Sequence, residues 1–341
     1  MERMMISPEC AAEQNRPNSD LESARIAFLQ AALLRWFDEN RRDLPWRHTC
    51  DPYAILVSEV MLQQIQVVRA IPFYLAFLDR FPTLDALATA PLADAIRVWG
   101  DLGRYRRVVN LHRTARLIVA EHHGVVPREV DVLRQLPGIG PYTAGAVACF
   151  AYEDPVAFLD TNMRRVLRRF LLGAVVEKSA AVDKHVHRLA EAAVPTDRAW
   201  AWNQGLMEFG ALHCTARRPR CDSCPVQASC SAFSDIGLEA LTRRPRSADG
   251  SPPYRYEESN RYYRGRVLAR LRDHSPEDDV GIPLRELGPQ VRTDFGEEHL
   301  PWLSEVVASL RKDGLAVAEE RPNYDAGSED TSLADLAVRL P

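Results

Sequence analysis

Leu136-Pro137-Gly138-Ile139-Gly140-Pro141-Tyr142-Thr143-Ala144-Gly145-Ala146-Val147 is the stretch that decides the fold. It reads as a turn and then a helix. Gly138 and Gly140 flank one apolar residue, and glycine admits the backbone angles of a tight hairpin between two helices. With no Cβ in the way, a phosphate can approach the N–H groups at the start of the next helix. Ile139 anchors the turn in a core. Taken alone, the motif is better read as an ordinary helix–helix turn.

Around the hairpin the chain is helical. Apolar residues recur at helical spacing in Ile26–Phe37, Tyr53–Phe77, Leu92–Trp99, Val108–Ala120 and Val182–Ala193. Pro45, Pro72, Pro82, Pro91, Pro127, Pro137 and Pro155 punctuate between helices or near their starts. β-branched alternation is nearly absent before residue 235, so this part is expected to be all-α. Asp160 follows Gly140 by twenty positions and precedes Thr161, Asn162 and the basic run Met163–Arg169. An Asp there can cap the next helix. It can also stabilise positive charge developing on a nearby sugar.

Of seven cysteines, Cys214, Cys221, Cys224 and Cys230 fall within 17 residues, spaced C-x6-C-x2-C-x5-C. Four thiolates on so short a loop suit a metal centre, and four Cys with no His suit a 4Fe–4S cluster. Structural zinc usually takes two separated C-x2-C pairs, and only one pair here has that spacing. Cys149 lies in the apolar run Ala144–Tyr152 and is expected to be a core residue.

The chain has 341 residues, enough for two domains, and an ordinary globular composition with 46% hydrophobic and 26% charged residues. No apolar run reaches the ~18 residues of a membrane span. Met1–Asp20 lacks the apolar core of a secretion signal, so a mobile tail and a cytoplasmic, nucleoid-associated protein are expected. Net charge is −4, which by itself argues mildly against nucleic acid, but the basic residues are clustered. Arg97–Arg116 holds six arginines against Asp101; Arg164, Arg165, Arg168 and Arg169 form a second group, and Arg217, Arg218 and Arg220 a third. Acidic residues gather instead at Glu277–Asp279, Glu297–Glu298 and Glu319–Glu320.

A break falls at Arg243–Tyr254, rich in Pro, Gly, Ser and charge. Beyond it, Tyr262–Leu271 and Leu300–Leu310 read as amphipathic helices with a short helix between them. Leu315–Glu319 and Leu336–Leu340 read as strands joined by the polar stretch Asn323–Ser332. Three helices and a two-stranded wing describe a winged-helix-like α+β module. The division expected is a tail (1–23), an all-α domain carrying the cysteine loop (24–235), a linker (236–257) and the module (258–341).

LPWR (Leu44–Arg47), PYAILVSEVMLQQ (Pro52–Gln64), LPGIGPYTAGA (Leu136–Ala146), FLDTN (Phe158–Asn162), NQGLMEFGALHC (Asn203–Cys214) and the four cysteines occur in one order. Together they resemble the helix–hairpin–helix glycosylases that include endonuclease III and the MutY-type adenine glycosylases. The resemblance covers roughly residues 28–233. It implies base excision repair on double-stranded DNA holding a mismatch or an oxidised base, by a monomer with one 4Fe–4S cluster on Cys214, Cys221, Cys224 and Cys230. Lyase-active relatives carry a lysine, which forms a Schiff base, where this chain has Tyr142. The resemblance therefore implies hydrolysis without backbone cutting. It makes Glu59 the general acid, Asp160 the carboxylate that steadies the sugar cation, Tyr142 its neighbour and Asn162 the residue orienting the acidic pair. Glu208 becomes the reader of the adenine amine and Gln63 the residue inserted near the vacated stack. Trp46 and Arg47 join the substrate-binding set, and Gly138, Gly140, Tyr142 and Thr143 the DNA-binding set.

The chemistry is consistent with these roles. Adenine leaves poorly unless protonated, and two carboxylates in different environments can divide acid and stabilising work. Glu59 follows Ile55, Leu56 and Val57 on a helix expected to be buried, where desolvation favours the protonated acid. Departures stand at Ile65, where the MutY type usually has Thr, and at Arg104, where it has the first tyrosine of LGYY. The C-terminal part does not resemble the Nudix-like domain of that type. A thymine or uracil glycosylase acting opposite G, a non-catalytic lesion binder and an abasic-site lyase are the alternatives. For the C-terminal module, its acidic balance favours stability or a partner protein slightly over DNA.

Overall fold

A computed structural model describes residues 16–174, 179–236, 256–274, 281–320 and 333–341. The expected tail before residue 16, most of the linker, the acidic group Glu277–Asp279 and the stretch Asn323–Ser332 lie outside the described residues. In chain order the helices are α1 (Arg16–Asn40), α2 (Pro52–Leu62), α3 (Val67–Arg80), α4 (Leu84–Thr89), α5 (Leu92–Trp99), α6 (Arg106–Glu121) and α7 (Val130–Leu133). They continue with α8 (Pro141–Tyr152), α9 (Thr161–Leu167), α10 (Ala180–Ala192), α11 (Ala199–Leu212), α12 (Asn260–Asp273), α13 (Leu284–Val291) and α14 (Leu300–Lys312). The strands are β1 (Ile282–Pro283), β2 (Val317–Glu320) and β3 (Leu336–Arg339). Among the described residues no helix is long and apolar enough to cross a membrane.

The chain forms two compact units, each drawn from two stretches of sequence. One comprises residues 1–50 and 140–247, the other 51–139 and 248–341.

In the first unit α1 and α11 share a core. Leu29, Leu33 and Phe37 on α1 and Trp202, Leu206 and Phe209 on α11 are all buried. Gly205 permits this approach: a Cβ there would lie 3.1 Å from Phe37. Helix α8 starts on Pro141, whose fixed φ suits a first helical residue, and buries every side chain from Thr143 to Phe150. Cys149 is within that core, as its apolar setting predicts. Burial pushes its thiol up to about 12, against a hydrogen bond from Asn203.

In the second unit α2 is capped by Asp51, whose carboxylate accepts from the Tyr53 and Ala54 N–H groups at 3.1 and 3.3 Å. The apolar run expected as continuous from Tyr53 to Phe77 is two helices, parted at Gln63–Gln66. Gln64 takes a left-handed φ of 59° there. Arg107 holds the break. Its buried guanidinium donates to the carbonyls of Val60, Met61 and Gln63 at 2.8–3.1 Å and covers Trp99. Burial, and then the charge of Arg104, lowers its pKa to about 10. Pro72 is a second departure. It lies inside α3 rather than at a boundary.

The C-terminal residues of this unit form three helices and a three-stranded antiparallel sheet of order β1-β3-β2. Ile282 pairs Val338, and Val317 pairs Arg339. The two predicted strands are present, and β1 adds a third to the expected two-stranded wing. Two residues carry too short a period to be read from sequence. Leu268, Leu271, Leu287, Val291, Leu303, Val307 and Leu310 close this small core. It docks within the unit through Asp101–Arg272 at 2.5 Å, Arg106–Asp313 at 2.6 Å and the Ala93 N–H donating to the Pro341 carbonyl at 3.0 Å.

Candidate active site and cluster loop

Asp160 is the N-cap of α9. Its Oδ1 accepts from the Met163 N–H at 2.6 Å and its Oδ2 from Asn162 Nδ2 at 2.8 Å. Burial raises its carboxyl above the usual range, against these hydrogen bonds and the charge of Arg165. The capping and charge-stabilising readings of Asp160 are therefore compatible: one oxygen caps while the other is steered by Asn162. Arg165 supports Asn162 in turn. Its Nη2 donates to Asn162 Oδ1 at 2.9 Å and to the Gly210 carbonyl at 2.6 Å, while its Nε donates to the Cys214 carbonyl at 2.9 Å. Gly210 lets α11 pass here, since a Cβ would stand 2.9 Å from Asn162. One guanidinium thus ties the first predicted cluster ligand to the residue that holds Asp160. In sequence Arg165 reads only as part of a basic cluster.

Tyr142 donates to Met207 Sδ at 3.1 Å and meets Phe158 edge-on, ring centroids 5.3 Å apart. Thr143 is buried one residue further on. Gly140 is the extended N-cap of α8, and a Cβ there would meet nothing within 4 Å.

Glu208 and Arg47 meet deep in the same unit. The Glu208 side chain is fully buried. Its Oε1 accepts from the Arg42 N–H and Nε, both at 2.9 Å, and its Oε2 from Arg47 Nη2. Arg47 also donates to Gln204 Oε1 at 2.8 and 3.0 Å and lies over the Phe37 ring. Burial lowers the Arg47 pKa, offset in part by Glu208. Trp46 is buried beside it in sequence, within a 3₁₀ turn. Arg42 and Gln204 belong to this network although sequence reasoning did not select them; Gln204 stood in the quoted motif NQGLMEFGALHC.

In the other unit Glu59 is 4% exposed on α2, within a run buried from Tyr53 to Met61. The expected buried setting is therefore present. Gln63 follows the last turn of α2, where Arg107 holds its carbonyl. Gly138 has φ 77°, and a Cβ there would lie 2.7 Å from Asn110, so glycine is required twice over. The Pro137 carbonyl accepts from Thr114 at 3.0 Å.

The basic clusters fare unevenly. Arg107 is internal, and Arg169 is 3% exposed, donating to the Thr215 and Ala216 carbonyls at 2.7 and 3.3 Å. Arg165 and Arg168 bond backbone carbonyls likewise. The run after Asp160 is thus mainly scaffold. Arg217, Arg218 and Arg220 are exposed.

All four predicted cluster ligands line one cavity, together with Arg169, Phe209 and His213. Burial and mutual repulsion push the Cys221, Cys224 and Cys230 thiols up, Cys224 to about 11. Four thiolates gathered there need a cationic centre to be held as anions. No three His, Cys, Asp or Glu side chains among the described residues converge as a single ion would require. Four cysteines with no histidine ligand suit a 4Fe–4S cluster, in which each thiolate holds its own iron. His213 Nε2, buried without a partner among the described residues, adds a polar ring nitrogen beside the cavity.

Comparison with known proteins agrees with this geometry. Residues 57–192 match the HhH-GPD superfamily of base excision DNA repair proteins, and residues 214–230 the iron–sulfur binding domain of endonuclease III. The adenine DNA glycosylase of Mycolicibacterium smegmatis is 44% identical over 242 residues, 71% of this chain and 79% of the relative. That of Mycobacterium tuberculosis is 41% identical, over 70% and 77%. That of Rattus norvegicus is 40% identical, over 66% of this chain but 46% of its own length. A solved thermostable thymine-DNA glycosylase superposes with TM-score 0.58 at 31% identity, over 62% of this chain and 97% of that one. A trapped endonuclease III–DNA intermediate superposes with TM-score 0.55 at 22% identity, over 64% and 98%, a likeness of fold. The chain belongs to the adenine DNA glycosylase family of helix–hairpin–helix base excision repair proteins, with a 4Fe–4S cluster as its cofactor.

Proposed function

We propose that this chain is a monofunctional glycosylase that hydrolyses the N-glycosidic bond of adenine mispaired with 8-oxoguanine or G in double-stranded DNA. The observation that carries the choice of base is Glu208, a fully buried carboxylate ion-paired to Arg42 and Arg47. An ionised carboxylate only accepts hydrogen bonds, which suits an exocyclic amine and opposes a thymine carbonyl. Three of its acceptor positions are taken by the two arginines, leaving one on Oε2.

In the chemistry proposed, the adenine leaves the base stack before reaction. Glu59 gives a proton to ring N7, so the base departs neutral as the C–N bond breaks. Asp160, as the anion, steadies the cation left on the sugar, and water adds its oxygen to that carbon while its proton returns to a carboxylate. The hydroxyl of Tyr142 offers no amine for a Schiff base, which supports hydrolysis without strand cleavage. The cluster's part is to hold the Cys214–Cys230 loop and present Arg217, Arg218 and Arg220 to the DNA.

The likeness to a thymine-DNA glycosylase favours one second reading, excision of thymine or uracil opposite G. Single-turnover base release from A·8-oxoguanine, A·G, T·G and U·G duplexes decides between them. Adenine release alone is expected. Release of thymine or uracil would remove Glu208 as the adenine reader while leaving the carboxylate chemistry intact. Asp160→Asn and Glu59→Gln are expected to abolish release and keep mismatch binding.

A further inference from the structure

Within the second unit, an open groove of about 680 Å³ runs between α12 and the Gln63–Gln64 break, the Gly103–Arg107 turn and Gly138. Five arginines line it, Arg104, Arg106, Arg107, Arg261 and Arg264, against two aspartates, Asp101 and Asp313. Both aspartates are committed. Asp101 pairs with Arg272 and Asp313 with Arg106 and Arg264. Arg104 and Arg261 are exposed and have no carboxylate partner among the described residues. The groove is therefore fixed in shape by ion pairs and still holds unspent positive charge, a surface for a polyanion.

Helix α12 presents Arg261, Arg264, Gly265 and Leu268 to this groove, spacing that puts all four on one face. Gly265 is the telling member. A glycine inside a helix costs about 1 kcal/mol relative to alanine. No packing demands it here, because a Cβ at Gly265 would meet nothing within 4 Å. What the missing side chain provides is a close approach to the helix beside two arginines. Tyr256, half exposed, adds an aromatic face to the same lining. Arginine with an open aromatic suits nucleic acid better than a small anion.

We propose that the C-terminal module is part of the duplex-binding surface: the Arg261–Gly265 face of α12, with Arg104 across the groove, takes the sugar–phosphate backbone of duplex DNA. This extends the function proposed above and rests on it for the identity of the polyanion. It also departs from the expectation drawn from the module's acidic balance, since the module gives the groove two arginines against Asp313, which is itself ion-paired.

The test is fluorescence anisotropy of the full-length holoenzyme on a short undamaged duplex, across a salt series. Arg261→Ala is expected to weaken binding about fivefold and to reduce the salt slope by about one. Gly265→Glu, which fills the gap with a negative group, is expected to weaken it more. Gly265→Ala keeps the helix at least as stable and, adding only a Cβ, is expected to weaken binding less than Gly265→Glu; the thermal unfolding of both shows that neither loss is one of folding. Arg270→Ala removes the same charge from an exposed position of α12 that does not line the groove, and is expected to leave the slope unchanged. Wild-type binding by Arg261→Ala and Gly265→Glu would overturn the proposal, and so would an equal loss from Arg270→Ala. Adenine release by the wild type is measured separately. Its absence would defeat the function proposed above, while the affinity data would still decide the groove.

Discussion

Asn162 donates its side-chain amide to Asp160 Oδ2 at 2.8 Å, from within the helix that Asp160 itself caps. The bond stabilises the anion, while burial raises the carboxyl above its ordinary range. An aspartate that must be anionic is lost from the active population as pH falls through its pKa. Removing a donor to the charged form moves that pKa higher still. Asn162→Ala is therefore expected to shift the acid limb of the single-turnover pH–rate profile to higher pH. At neutral pH the rate should fall about tenfold, the worth of one hydrogen bond to a charged group. An acid limb that stays in place, or moves to lower pH, would show that Asn162 does not set the charge of Asp160.

The elements of regular period were legible. Leu92–Trp99 was read with its observed ends, and the helices and two longer strands of the C-terminal module fell within a few residues of their places. Buried Glu59 and the cysteine loop were legible too, since an apolar run and a ligand spacing are local facts. The break at Gln63–Gln66 was not. It depends on Arg107, forty-four residues away from Gln63, whose guanidinium binds the carbonyls that α2 leaves open. Charge counting cannot set Arg107, Arg165 and Arg169 apart for the same reason: a guanidinium that satisfies backbone carbonyls looks, in sequence, like one that faces a phosphate. The distribution of helices between two interleaved units is likewise a tertiary fact, with no signature in a period of 3.6.

Arg165 connects Asn162 to the Cys214 carbonyl, so cutting it should disturb Asp160 while every predicted cluster thiolate keeps its own side chain. Arg165→Met is expected to retain iron, sulfide and duplex affinity, and to slow single-turnover release about tenfold or more. Its acid limb should move upward as in Asn162→Ala. If the two residues act through one chain of bonds, the double variant will be little slower than either single one. Fully additive losses would mean that Arg165 serves only the fold. Thermal unfolding supplies the second reading, because the Gly210 and Cys214 carbonyls lose their donor.

Glu208 cannot be tested by activity alone. Glu208→Ala strands the guanidinium of Arg47, whose side chain is 6% exposed. Breaking a buried pair from one side costs about 3–5 kcal/mol. Glu208→Gln keeps the shape and one acceptor oxygen for the arginines, so its loss should be clearly smaller. Denaturant unfolding of the two variants checks this order. Equal stabilities for Ala, Gln and wild type would show that the Arg42–Glu208–Arg47 network does not support the fold, and any loss of adenine release in Gln would then report on the base alone.

His213 offers the last test, at the cluster itself. Its ring stacks on Phe209, centroids 4.8 Å apart, at the cavity that the four cysteines line. Its Nε2 is buried with no partner among the described residues, an expensive state for a polar atom. With the ring proton on Nε2, a cluster sulfur would relieve it. Hydrogen bonds to cluster sulfurs stabilise the more reduced, more negative state and so raise the potential. His213→Phe keeps the stack and removes the nitrogen. It is expected to bind the same iron and sulfide as wild type, with a lower midpoint potential by protein-film voltammetry. An unchanged potential at full iron content would show that Nε2 finds its partner elsewhere. Loss of iron from His213→Phe would instead make the histidine part of what holds the loop closed.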